Sequence, residues 1–113
     1  MKPLVWRAPA DASGNFLPWL HALRNASGAY AIRNRETGAV LYVGESHTGR
    51  LAHTLKRHFY PWKDSPERPH ATFQRGRVEV AVRPCPPAGA VGAQNNLIRR
   101  LNPRDNVNGT EPF

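Results

Sequence analysis

Residues 28–50 read GAYAIRNRETGAVLYVGESHTGR, and this stretch decides the fold. The segments AYAIRN (29–34) and AVLYVG (39–44) are rich in β-branched and aromatic residues, and RETG (35–38) joins them, so they read as two strands. A link this short leaves antiparallel pairing as the expected geometry. Each strand carries a tyrosine beside a glycine, Gly28-Ala29-Tyr30 in the first and Tyr42-Val43-Gly44 in the second.

Upstream, Phe16, Leu17, Leu20 and Leu23 make a helical stripe, which Pro18 allows to begin near itself and NASG (25–28) ends. The residues before it mix Val5 and Trp6 with polar and turn residues, as a loop or short edge strand would. Downstream, TGRLAHTLKRHFYPW (48–62) reads as a helix ended by Pro61, and KDSPERPHATFQRG (63–76) as a surface loop. RVEVAVRP (77–84) alternates strictly, with Val78, Val80 and Val82 on one face, and predicts a half-buried third strand. The last helix lies within residues 87–106 and stops before Pro103. Helix, hairpin, helix, strand, helix is an α/β (α+β) order, and a small three-stranded antiparallel sheet flanked by helices is its economical packing.

The chain's 113 residues suit one domain, 1–113, with a modest core from 40% hydrophobic content. Sixteen basic against eight acidic residues give a net charge of +8, and nucleic acid is the polyanion that most often answers such an excess. The single cysteine, Cys85, excludes an intramolecular disulfide framework. The N-terminal residues lack the apolar core of a signal peptide, and no run approaches the roughly 20 apolar residues that span a bilayer. The expectation is a soluble, intracellular (cytoplasmic) protein with no membrane partner.

On the helix from Thr48, Leu51, Leu55 and Phe59 share one stripe, and Arg50, His53, Thr54 and Arg57 share another. His58 falls beside the apolar stripe, near the sheet edge. On the last helix Val91, Leu97, Ile98 and Leu101 define the buried face, and Gln94 lies in the middle of that arc with Asn95 at its edge. Burying an amide without partners costs about 1–3 kcal/mol. Gln94 therefore either bonds a structural partner or lines a polar pocket.

Gly28-Ala29-Tyr30, Tyr42-Val43-Gly44, the RHF of residues 57–59 and QNNLIRRLNPRDN (94–106), in this order, resemble the GIY-YIG nuclease superfamily. The resemblance covers residues 28–106 and leaves 1–27 as an N-terminal extension. It implies a metal-dependent DNA endonuclease with Tyr30 activating the attacking water and Tyr42 positioning that water or a phosphate oxygen. It also implies that His58 assists proton transfer or bonds a tyrosine, that Asn106 closes the site, and that an arginine neutralises the scissile phosphate. Arg50 is the choice for that arginine, and Arg57 the alternative. The family binds one Mg²⁺ or Mn²⁺ through a glutamate at the place of Gln94. Glutamine keeps the shape and loses the charge that hard dications prefer, so metal affinity and turnover are expected to fall. Such a residue suits either a lineage that kept binding without cleavage or an isosteric Glu→Gln replacement. Glu45 is the nearby alternative carboxylate.

His53, Lys56, Arg57, Arg75 and Arg104 are the expected nucleic-acid contacts, with specificity left to residues 61–76, the N-terminal segment or a homodimer. Two other functions fit the same residues: a non-catalytic nucleic-acid-binding domain on this fold, and a basic protein-interaction domain.

Overall fold

The computed structural model describes residues 3–60 and 73–104. In chain order these form α1 (Pro18–His21), β1 (Gly28–Asn34), β2 (Val40–Ser46), α2 (Leu51–Lys56), β3 (Val78–Pro84) and α3 (Ala90–Leu101). Single 3-10 turns follow α2 at Arg57–Phe59 and precede α3 at Pro87–Gly89. The strands make the expected three-stranded antiparallel sheet, in the order β2-β1-β3. Segments 61–72 and 105–113, which include Trp62, Asp105 and Asn106, lie outside the described residues.

The hairpin strand β1 is central and paired on both edges, helices cover both of its faces, and Ala29 to Ile32 are all buried. Strand alternation sorts the core in two. Tyr30, Ile32, Tyr42 and Val80 pack with Leu20, Leu51, Leu55 and Phe59 on the face covered by α1 and α2. Ala29, Ala31 and Val43 pack with Leu97, and with Ile98 and Leu101 at the margin, on the face covered by α3. Alanines at 29 and 31 leave room there for the helix to sit close.

The outer edge of β3 is met by the N-terminal segment. Arg7 exchanges both backbone hydrogen bonds with Val80, at 2.9 and 2.8 Å, which realises the short edge strand as a single bridge. Trp6 and Trp19 are packing residues. Trp19 donates its indole N–H to the Ala8 carbonyl at 2.9 Å, and the Arg33 guanidinium lies 4.4 Å from the Trp6 ring while bonding Glu79.

Three elements differ from the sequence expectation. First, α1 is one turn long: the chain continues in tight turns, with the Leu23 N–H on the Leu20 carbonyl at 3.2 Å and the Arg24 N–H on the His21 carbonyl at 3.1 Å, and Asn25 takes a left-handed φ of 68°. Second, α2 starts at Leu51 rather than Thr48, since residues 46–50 are spent on a turn. Ser46 Oγ accepts the Arg50 N–H at 3.1 Å, Ser27 Oγ accepts the Gly49 N–H at 2.9 Å, and the Ala26 carbonyl accepts the Leu51 N–H at 3.0 Å. Third, Val91 is 46% exposed, because Ala90 takes the place at the centre of the buried arc. Ser27→Ala should leave the Gly49 N–H without its acceptor and cost about 1–3 kcal/mol, read as a lower urea midpoint.

No helix among the described residues is long and apolar enough to cross a membrane.

Candidate active site

Both motif glycines have a steric reason. Gly28 adopts a φ of 148°, and a Cβ there would run into the Arg83 carbonyl oxygen of β3. Gly44 is the cross-strand partner of Tyr30, and a Cβ on it would overlap the hydroxyl end of the Tyr30 ring. With that space open, the Tyr30 ring lies across β2 and its hydroxyl meets His58 Nε2 at 2.6 Å.

His58 sits in the 3-10 turn after α2, only 2% exposed. Its imidazole is enclosed by Tyr42 at 4.9 Å, Tyr30 at 5.6 Å and Phe73 at 5.7 Å between ring centres. The His58 carbonyl accepts the Phe73 N–H at 3.0 Å, which fixes this turn to the chain that leads into β3. Burial, then the neighbouring Tyr42 and Glu45, pushes the Tyr30 phenol well above its ordinary value, against a smaller opposing pull from Arg57. A phenol that holds its proton can donate this short bond to Nε2 of an imidazole protonated on Nδ1.

This raised phenol couples stability to pH. Above about pH 10 the unfolded chain releases the Tyr30 proton while the folded chain still holds it. Its contribution is complete below that value and drains away as pH climbs toward the higher folded value. Alkaline titration by tyrosinate absorbance should show Tyr30 ionising only as the protein unfolds, a step that Tyr30→Phe removes.

A cleft of about 150 Å³ opens beside His58, lined by Glu45, Ser46, His47, Thr48, Thr54 and Arg57. Because β2 is an edge strand, Glu45 reaches this cleft around its free edge. His47 Nδ1 stands 3.1 and 3.2 Å from the two Glu45 carboxylate oxygens.

The basic stripe read from the helix is divided by the structure. Thr54 and Arg57 face the His58 cleft, whereas Arg50, His53 and Lys56 line a second one with His21, Arg24, Asn25, Gly49 and Ala52. Arg57 is thus the arginine beside His58, and Arg50 stands at the start of α2 away from it. Arg75 has a tertiary role. It donates to the Gly14 carbonyl at 2.7 Å and stacks 4.0 Å from Phe16 and 5.2 Å from Tyr60, clamping the N-terminal segment to the 3-10 turn. Arg104 is exposed, and its backbone N–H bonds the Val40 carbonyl at 3.1 Å, tying the end of α3 to the start of β2. Asn106 lies outside the described residues.

Gln94 is half-buried on the sheet-facing side of α3, among Ala90, Ala93, Leu97 and Ile98. That helix covers the sheet face opposite Tyr30, Tyr42 and His58. Gln94 is not among the residues that line the His58 cleft, whereas Glu45 is. Gln94 offers a hard dication one neutral carbonyl oxygen, and the Glu45 carboxylate is engaged by His47. No three His, Cys, Asp or Glu side chains among the described residues converge as a metal-binding group. This donor set fits Mg²⁺ or Mn²⁺ poorly.

His47 and Phe73 escaped the sequence reading. His47 had no periodic signal, being in a turn, and Phe73 sits in a polar stretch that read as loop. No protein-family model matches the chain, and no curated protein matches it as a relative.

Proposed function

We propose that this chain carries the site of a DNA endonuclease of the GIY-YIG type, hydrolysing phosphodiester bonds, with turnover weakened by glutamine at position 94. The observation that carries the reading is the 2.6 Å bond from the Tyr30 hydroxyl to His58 Nε2, beside a cleft that holds Arg57. A buried tyrosine bonded to a buried histidine, beside a cleft with an arginine in its wall, supports proton transfer next to a group that can neutralise a phosphate.

In this reading Tyr30 is a relay. A water entering along His58 gives a proton to the phenol oxygen while the phenol passes its own to Nε2, so no free phenolate has to form. The resulting hydroxide attacks phosphorus, the bond to the leaving oxygen breaks, and solvent protonates that oxygen. Arg57 neutralises the charge that grows on the phosphate. Tyr42, packed on the imidazole, orients His58.

A divalent ion would supply Lewis-acid activation of the phosphate, and the residues present hold one weakly. Gln94→Glu is the test, assayed on single-stranded and duplex DNA with Mg²⁺ or Mn²⁺. Cleavage should rise from background to a clearly measurable rate and disappear with chelator. No cleavage by Gln94→Glu under any of these conditions would leave the binding-only alternative standing.

A further inference from the structure

The second cleft also borders α2, and it shares no lining residue with the His58 cleft. Its volume is about 570 Å³, and its lining includes Arg24, Arg50, Lys56, His21 and His53, with no carboxylate among the described residues. Its walls are tied together rather than merely adjacent. The Gly49 N–H to Ser27 Oγ bond and the Leu51 N–H to Ala26 carbonyl bond join the start of α2 to the segment before β1. Asn25 and Gly49, both with positive φ, form the floor between them.

Inside the cleft basic groups crowd one another. Lys56 Nζ donates to His21 Nδ1 at 3.0 Å. His53 is held below its ordinary value, by partial burial first and then by Arg50, Arg57 and Lys56. The charged side chains around these two imidazoles are Arg24 in the turn after α1, Arg50 and Lys56 at α2, and Arg57 in the following 3-10 turn, and all are positive. Like charges collected in one concavity repel, and a bound anion relieves that repulsion.

We propose that this cleft is a phosphate-backbone site, separate from the His58 cleft, which grips a nucleic-acid strand away from the bond to be cut. The proposal rests on the nucleic-acid reading above and extends it to a defined site. Two clefts bordering one short helix let a strand pass along α2 with a phosphate in each. A phosphate in the second cleft raises the affinity of His53 for a proton, so binding takes up a proton and tightens as pH falls through the histidine range.

The probe is a short fluorescein-labelled DNA duplex, titrated by anisotropy at several salt concentrations with the chain as it stands and with Arg24→Ala/Lys56→Ala. Removing one cationic side chain from a phosphate lowers the slope of log K against log salt by about 1. The double variant should therefore show a slope lower by about 2 and bind more weakly across sequences. Imidazole NMR follows His21 and His53 as inorganic phosphate is added, and both should shift in the unmodified chain, which keeps the test valid should the variant misfold. An unchanged slope, or His21 and His53 signals that ignore phosphate, overturns the site. So does binding to phosphatidylglycerol vesicles without binding to the duplex. Cleavage by Gln94→Glu, measured separately, scores the nuclease reading. Duplex binding at this cleft without cleavage keeps the site and sinks the nuclease, and cleavage with an unchanged slope does the reverse.

Discussion

Gly44→Ala should unseat Tyr30 and break its bond to His58. The methyl group would overlap the phenol hydroxyl and the ring carbons beside it, and the clash is with a buried ring. Tyr30 is 1% exposed and packs among Ile32, Leu51 and Leu55, so it has little room to retreat. Overpacking of this kind costs about 1–3 kcal/mol, and the loss of a buried hydrogen bond adds about 1 kcal/mol more. Urea unfolding should show the midpoint falling accordingly. In the same variant Tyr30 should titrate closer to an ordinary phenol, because the displaced ring is less buried. A Gly44→Ala protein as stable as the parent, with Tyr30 still silent to base, would show that the ring is not seated against β2 as described.

The second large effect is on turnover. In a Gln94→Glu background, Tyr30→Phe should lower the cleavage rate about 10²–10⁴-fold, the range expected when a positioned proton-transfer group is removed. Tyr42→Phe should cost far less, since Tyr42 contributes its ring to the His58 enclosure. The comparison separates catalysis from folding, because Tyr30→Phe retains the ring that fills the core. Its stability cost should be limited to the hydrogen bond that leaves His58 Nε2 without its donor. Equal rates for Tyr30→Phe and its Gln94→Glu parent would remove Tyr30 from the reaction and leave it a core residue.

Much of this architecture was legible in the residues themselves. The central hairpin could be read because its strands are continuous apolar runs bounded by glycine, and β3 because its valines alternate. The length of α2 could not. Periodicity assigns Thr48 to Arg50 to the helix, but Ser46 and Ser27 draw those N–H groups into a turn through contacts from another part of the chain. Partition of the basic stripe was hidden for the same reason. Arg50, His53 and Arg57 lie along one helical face in projection, and only the packing of α1 and β2 against that face sends them into different clefts. The placement of Gln94 followed from periodicity, while the fact that α3 covers the other face of the sheet depends on tertiary packing.

The seat of the Tyr30 hydroxyl over Gly44 also has a bearing on how the chain finds its pairing. Tyr30 and Gly44 face each other across β1 and β2. Sliding β2 by two residues either way preserves which side chains face the core but sets Tyr42 or Ser46 opposite Tyr30, and each brings a Cβ into the space the phenol requires. Only one alignment of the hairpin lets the ring lie down. The contact that delivers the phenol to His58 therefore also selects the hairpin's register, and a slip of two residues is disfavoured by the same atoms that would carry the proton.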